Sequence, residues 1–331
     1  MKIITKCSNY ASATCPCVLA EAGHCIVCSM CRGEDYCTCT DTVSFCVMQE
    51  LVNNGMKARD QHQSIAYEVA NERVYDDTIK LIRLKIPKEN ISDFIDAGSF
   101  AFLRLKEGPF YDVPISVLYE DFENESIGFL IKLQGIKTKG FRDIKKGDRV
   151  FMRGPFLNGL QGKKAINRLQ NSKALLICRE IGLFPSLSVY DRLKKNNNEV
   201  KCYLDSGSFN QSLIHVARDL NEMEAGEIPI CDPDGSLSKE VRNLIDEALE
   251  NGVELIHLGL SDYLLKKVIE YIEEKENEKK KKQISISCIN NARMCCGEGI
   301  CGSCTVVTDK REIVHLCKEQ LDPREYAKLV R

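Results

Sequence analysis

Cys296-Gly297-Glu298-Gly299-Ile300-Cys301-Gly302-Ser303-Cys304, followed later by Cys317, is the run from which this sequence is best read. The spacing C-x4-C-x2-C and then a distant cysteine is the one by which four thiolates enclose a [2Fe–2S] cluster. Such a loop must wrap tightly and turn backbone N–H groups toward sulfur. Gly297, Gly299 and Gly302 suit it, because glycine enters the positive-φ region with no Cβ penalty. Zinc sites favour paired C-x2-C units, and this run holds one. Choosing Cys295 in place of Cys296 would lengthen the first gap to five residues. The expected ligands are therefore Cys296, Cys301, Cys304 and Cys317. Cys288, in the alternating stretch Ile284–Ile289, reads as a buried thiol.

The chain has 331 residues and 18 cysteines, crowded toward its two ends, and a net charge of −2. No global basic field points to nucleic acid. No apolar run is long enough for a membrane span, and the N-terminus lacks the apolar core of a signal peptide. Clustered cysteines in a chain of this size read as metal or cluster ligands rather than a disulfide scaffold, which implies a reducing, cytoplasmic compartment.

Upstream of the cysteine run the pattern divides. Residues 65–172 read as β: Thr78–Ile86 alternates apolar and polar, and Ile115–Tyr119 and Ile127–Leu133 are two further strands. Strands at this spacing predict a small antiparallel barrel. Residues 173–282 alternate strand and helix, with strands at Ala174–Cys178, Lys201–Leu204 and Val253–Leu258, and helices at Pro185–Lys195, Leu213–Leu220, Lys239–Glu250 and Asp262–Glu274. That alternation predicts a parallel sheet covered on both faces. The charged run Glu273–Lys282 separates it from the C-terminal cluster domain, residues 283–331.

Residues 1–64 form a cysteine-rich head. Too few large apolar side chains lie there to build a core unaided. Cys25-x2-Cys28-x2-Cys31 suits a [4Fe–4S] cluster, with Cys15, followed by Pro16, as the remote fourth ligand. Cys17, Cys37, Cys39 and Cys46 leave material for a second site. The alternative is zinc, for which Cys25, Cys28, Cys37 and Cys39 have acceptable spacing. His24, His62, His215, His257 and His315 show no catalytic spacing, and His215 and His257 read as packed side chains. No nucleophile elbow, metalloprotease or P-loop pattern occurs.

With these motifs in order, the chain from about residue 70 to 325 resembles the electron-transfer subunits of dihydroorotate dehydrogenase B, in the ferredoxin–NADP reductase superfamily. The resemblance implies an FAD-binding barrel, a nucleotide-binding α/β domain and a terminal [2Fe–2S] domain. Ala97-Gly98-Ser99-Phe100 is similar to the family's Pro-Gly-Gln-Phe, and Pro114-Ile115-Ser116 to the Arg-Pro-Ile-Ser stretch that holds the flavin. Gly135-Ile136-Lys137-Thr138 is similar to a Gly-x-Gly-Thr turn near the flavin phosphates. Gly154-Pro155-Phe156-Leu157-Asn158-Gly159 is similar to Gly-Pro-Leu-Gly-Asn. The resemblance thus implies that Pro114, Ile115, Ser116, Gly135, Thr138, Gly154 and Asn158 line the cofactor. Val113 stands where the family has a pyrophosphate-binding arginine; Arg104 or Lys137 would replace it.

The α/β domain departs from the pattern. Cys178-Arg179-Glu180-Ile181-Gly182-Leu183-Phe184-Pro185 keeps Gly182 and Pro185 of a glycine-rich dinucleotide turn but has lost the earlier glycines. Glu180 would repel a pyrophosphate. Only Gly259 remains of a Cys-Gly-Pro turn at the nicotinamide, whereas Asp234-Gly235-Ser236 matches the family's Asp-Gly-Ser loop. NAD(P)H binding is therefore the weakest part of the match. The expectation is an electron-transfer flavoprotein subunit, a hetero-oligomer with a catalytic or ferredoxin-like partner. The alternatives are a stand-alone NAD(P)H-dependent reductase and a zinc-containing scaffold or redox sensor.

Overall fold

Alternation along Ile79–Lys85 puts one face of a strand inside and the other outside, the condition for closing a sheet on itself. The computed structural model describes residues 6–38, 45–106, 111–209, 213, 215–216, 218, 223–279 and 283–330. In it strands β1 (Ile65–Asp76), β2 (Ile79–Lys85), β3 (Phe100–Arg104), β4 (Val113–Asp121), β5 (Ser126–Lys132) and β6 (Arg149–Phe156) form a closed barrel in the order β1-β2-β5-β4-β3-β6. Its neighbours pair antiparallel, for example Leu81 opposite Leu130. Val69, Ile82, Leu84, Leu103, Ile127, Phe129 and Met152 fill the interior, each such burial contributing about 1.5–3 kcal/mol.

The chain leaves the barrel through β7 (Leu160–Gln161) and enters the α/β domain. Its sheet has the order β10-β9-β8-β11-β12-β7, from β8 (Lys173–Arg179), β9 (Glu199–Asp205), β10 (Ala225–Glu227), β11 (Val253–Gly259) and β12 (Ser285–Ile289). The pairings are parallel except that of β12 with β7. One face packs on helix α1 (Leu183–Lys195), which also meets barrel residues Ile79, Leu81, Leu118 and Leu130 in one core. The other face packs on α2 (Lys239–Glu250) and α3 (Asp262–Lys279). The strand expected to open the C-terminal domain, Ser285–Ile289, is thus built into this sheet, with Cys288 fully buried. The rest of that segment carries a two-stranded ribbon, β13 (Thr305–Val307) with β14 (Ile313–His315), and α4 (Pro323–Leu329).

The head contains two short helices, Val18–Glu21 and Val47–Asn53, around buried Cys15, Cys25, Cys28 and Cys31. It docks on the C-terminal segment: Cys7 bridges Glu319, Ser8 N–H donates to the Lys318 carbonyl at 2.8 Å, and Gln320 N–H to the Lys6 carbonyl at 2.7 Å. Cys39, the stretch 39–44 and much of 210–222 lie outside the described residues. His215, expected to pack, is exposed, because its segment turns it away from Leu213 and Val216. No helix among the described residues is long and apolar enough to cross a membrane.

Candidate redox site

The cysteine loop has the backbone its glycines allow: Gly297, Gly299 and Gly302 have φ of +73°, +77° and +75°. A Cβ on Gly297 would strike the Phe156 ring, and one on Gly299 would meet Leu19 of the head. The loop is therefore pressed between barrel and head. Three of the expected ligands are linked pairwise through Cys317. The Cys317 thiol hydrogen-bonds to Cys296 and Cys304, and N–H groups of Cys301, Glu298 and Ile300 also point at the Cys296 sulfur. These bonds, that of Cys317 first, outweigh burial and pull Cys296 down to about 4; the bond from Cys317 brings Cys304 to about 7. Cys317, the donor in both, moves up. Cys301 stands at the surface beside Cys295. Among the described residues no three His, Cys, Asp or Glu side chains converge on a single metal ion. A two-iron cluster spreads its ligands over two atoms, and the thiolate-favouring donors and N–H···S contacts fit such an anionic group.

A charged chain backs the loop. Glu298 lies 2.7 Å from His62 Nδ1 and accepts from Lys318 Nζ at 2.9 Å, and Lys318 is fully buried. Burial works against ionising Glu298, yet the His62 hydrogen bond and the Lys318 ammonium hold its carboxyl down at about 2. His62 also packs its ring against Phe156 at 4.4 Å. The sequence gives no hint of this network, whose members are 236 residues apart for His62 and Glu298.

Next to the loop is a cavity of about 810 Å³ between barrel and α/β domain. Pro114, Ile115, Ser116, Gly135 and Thr138 all line it, with Lys132 and Lys137 as cationic groups. Ile289, Asn290, Asn291, Ala292 and Met294 form the wall toward the cysteine loop, and Ile181, Phe184 and Pro185 the wall toward the α/β domain. The cavity is within the size of small-molecule sites and mixes an apolar lining with few polar groups, which fits a flavin nucleotide. Arg104 is not among its lining residues; it donates to Asp112 Oδ1 at 2.8 Å and lies over Phe151. Lys137 does line the cavity while donating to the Asp112 carbonyl at 2.8 Å.

Gly154 and Asn158 also stand away from the lining. Gly154 packs against Ala101 and the Phe100 carbonyl. Asn158, fully buried, donates to the carbonyls of Leu316 and Glu319 at 2.7 and 2.9 Å. Its side chain therefore holds the turn that carries Cys317. Asn290 reaches both features, lining the cavity and donating to the Leu316 carbonyl at 2.7 Å.

With this geometry described, comparison with known proteins gives a consistent answer. No protein-family model matches the chain. It is 25% identical over 223 residues to the dihydroorotate dehydrogenase B (NAD(+)) electron transfer subunit of Clostridium acetobutylicum, spanning 67% of this chain and 81% of the relative. It is 25% identical over 210 residues to that of Caldanaerobacter subterraneus subsp. tengcongensis, spanning 62% and 75%. The chain is similar to the dihydroorotate dehydrogenase B electron-transfer subunits. Its fold matches the NADH-dependent reduced ferredoxin-NADP oxidoreductase described for flavin-based electron bifurcation, with a TM-score of 0.58, 18% identity and coverage of 78% and 88%. Phthalate dioxygenase reductase, described as a modular structure for electron transfer from pyridine nucleotides to [2Fe–2S], aligns with a TM-score of 0.51, 12% identity and coverage of 78% and 96%. The fold is of the ferredoxin–NADP reductase type, with its six-stranded barrel and α/β domain.

Beside these dihydroorotate dehydrogenase B-like relatives, the dinucleotide turn shows its own construction. Gly182 backs onto Gly259, and a Cβ there would run into the Gly259 carbonyl. Gly182 thus serves the packing of α1 on β11. Glu180, at φ +50°, accepts from Ser208 N–H and Oγ–H at 3.2 Å each. Arg179 Nε donates to Asp205 Oδ2 at 2.9 Å. The N–H groups at this sheet end that could face a phosphate include one already bound to a carboxylate.

Proposed function

We propose that this chain is an electron-transfer flavoprotein subunit, with FAD in the 810 Å³ cavity and a [2Fe–2S] cluster on Cys296, Cys301, Cys304 and Cys317. One observation carries it: a single stretch of backbone lines the cavity from Ile289 to Met294 and, two residues on, supplies Cys296. When bound, the flavin supplies two-electron chemistry that it can pass on one electron at a time. Pro114, Ile115 and Ser116 would flank its ring, and Lys132 and Lys137 would offset phosphate charge. Asn290 fixes the spacing between cavity and cluster through the Leu316 carbonyl. Phe100, Phe102 and Phe156, packed with Met294, exclude water from the intervening space. Ile300 and Cys301 are exposed at the loop tip, where a catalytic or ferredoxin-like partner could approach.

The proposed organisation is a cysteine-rich metal module at 1–64, an FAD barrel at 65–172, an NAD-binding-like domain at 173–282 and a cluster domain at 283–331, working in a reducing cytoplasm. Purification without oxygen, followed by absorbance and EPR spectroscopy, tests the reading. Bound flavin and a reduced [2Fe–2S] signal that is lost in Cys304→Ala are expected; protein free of both flavin and iron defeats it.

A second reading, direct oxidation of NADH or NADPH, draws support from Ile181, Phe184 and Pro185, which open the same cavity toward the dinucleotide side. Glu180 opposes it. Rapid mixing with either dinucleotide decides: an unbleached flavin removes this reading.

A further inference from the structure

The head's cysteines form a grouping that their spacing does not show. Cys7, Cys15, Cys17 and Cys25 line one small cavity, closed by Leu19, Ala20 and Val47. Cys28 and Cys31 are not among its lining residues; Cys31 hydrogen-bonds with Cys28, with Cys25 and then Cys46 within electrostatic reach. Cys25 stands between the two groups: it lines the cavity, and its sulfur accepts from the Cys28 N–H at 3.3 Å.

A tetrahedral zinc ion needs its sulfurs about 2.3 Å from one point. Among the described residues no such convergence exists. Thiols spaced around a cavity suit a polynuclear cluster, in which each sulfur anchors a different iron. Behind the cavity lies Lys318, fully buried with its ammonium 2.9 Å from Glu298 and within electrostatic reach of Cys7 and Cys17. A buried cation within reach of Cys7, Cys15 and Cys17 offsets part of the negative charge that a thiolate-bound cluster brings.

We propose that Cys7, Cys15, Cys17 and Cys25 hold a [4Fe–4S] cluster, and that it exchanges electrons with the C-terminal cluster across the hydrogen bond from Ser8 N–H to the Lys318 carbonyl. Cys7 precedes Ser8 and Cys317 precedes Lys318, so one hydrogen bond of 2.8 Å joins the two ligand-bearing segments. The companion bond from Gln320 N–H to the Lys6 carbonyl at 2.7 Å fixes their alignment. In the exchange one cluster loses one electron and the other gains it; no bond is made or broken, and the reduced flavin is the source. The transfer rests on the [2Fe–2S] reading above, whereas the four-cysteine site stands without it.

The test uses the full chain purified without oxygen. Iron and acid-labile sulfide in excess of the two irons of a [2Fe–2S] cluster are expected, with a second reduced EPR signal. Cys7→Ser and Cys17→Ser should lose that excess and keep the C-terminal signal. Excess metal that proves to be zinc overturns the proposal, as does excess iron lost from Cys28→Ser and Cys31→Ser but retained in Cys7→Ser and Cys17→Ser. Should the serine variants not fold, the wild-type metal content and EPR still decide between iron and zinc. Ser8→Pro removes the donating N–H; with both clusters loaded, it should slow the second cluster's reduction after flash reduction of the flavin at least tenfold. An unchanged rate overturns the path. Absent flavin would defeat the function proposed above but leaves the iron result readable, with dithionite as reductant.

Discussion

Arg153 Nη1 donates to the carbonyl of Cys296 at 2.8 Å, while Nη2 donates to Asp112 Oδ2 at 3.1 Å. The guanidinium lies over Phe102 and Phe156 at 4.6 and 5.1 Å. A barrel strand thereby grips the first cysteine of the cluster loop. Arg153→Ala leaves Asp112, which is almost wholly buried, with Arg104 as its remaining salt-bridge partner. Because Arg104 keeps the aspartate paired, the loss is that of a hydrogen bond to a charged group, about 1.5–3 kcal/mol. Urea unfolding should show that loss, and Arg153→Lys should recover only part, since lysine cannot span both acceptors with one planar fork. A loss below about 1 kcal/mol, typical of an exposed pair, would mean the grip is unimportant.

Asn158→Leu removes the donors that the carbonyls of Leu316 and Glu319 receive from this side chain. Leu316 keeps a bond from Asn290 and Glu319 one from Gln161, so the loss is that of the hydrogen bonds themselves, about 0.5–1.5 kcal/mol each. The turn carrying Cys317 should loosen. Iron should pass to a chelator faster than from wild type, with flavin content retained because Asn158 does not line the cavity. Equal rates of iron release would refute this assignment.

The dinucleotide turn allows two opposite outcomes. Gly182→Ala forces a methyl group into the Gly259 carbonyl and should destabilise the fold by about 1–3 kcal/mol, as overpacking does. Glu180→Gly relieves a positive φ and frees the Ser208 N–H. It should keep stability to within about 1–2 kcal/mol and gain NADH affinity in a fluorescence titration. If Glu180→Gly binds no better than wild type, the carboxylate is not what blocks this site.

His257 gives a pH dependence with a definite sign. It is fully buried between Ser287 Oγ at 2.9 Å and Ser186 Oγ at 3.0 Å, and burial lowers its pKa from 6.5 to about 3. Below 6.5 the unfolded chain takes up a proton that the folded chain refuses. Stability contributed by neutral burial is therefore present above pH 6.5 and falls as pH drops toward 3, by about 1.4 kcal/mol per pH unit for one such group. Glu298, lowered from 4.5 to about 2, adds its own loss only below pH 4.5. Denaturant unfolding between pH 6.5 and 4.5 should show a slope that His257→Gln removes.

The barrel was partly legible in the sequence because β2 alternates apolar and polar residues and β4 and β5 carry apolar runs on either side of the polar turn 120–126. β3 escaped, since Phe100–Leu103 is buried on both faces and shows no alternation. β1 escaped because its run Ile65–Asp76 is interrupted by Glu68, Asn71, Glu72 and Arg73. The cysteine loop was legible because glycine and cysteine spacing are local properties. Side-chain direction was not: the resemblance brought Asn158 and Arg104 near the cavity, but their partners, the Leu316 carbonyl and Asp112, are fixed by tertiary packing. Cys7 joined Cys15, Cys17 and Cys25 through a backbone pairing with residue 319, which no spacing rule within the head contains.

The two-residue strand β7 has a consequence for how such a molecule keeps time. Leu160 and Gln161, on leaving the barrel, pair with β12 of the neighbouring sheet, and the Leu160 carbonyl and Gln161 Oε1 accept from Gln320 and Leu321 near the ribbon that carries Cys317. One short splice therefore ties three modules together at a single point. In the proposed relay this splice would set the interval between flavin and cluster, and the pace would then follow driving force and the arrival and departure of the partner, as in a circuit whose only moving contact is the plug.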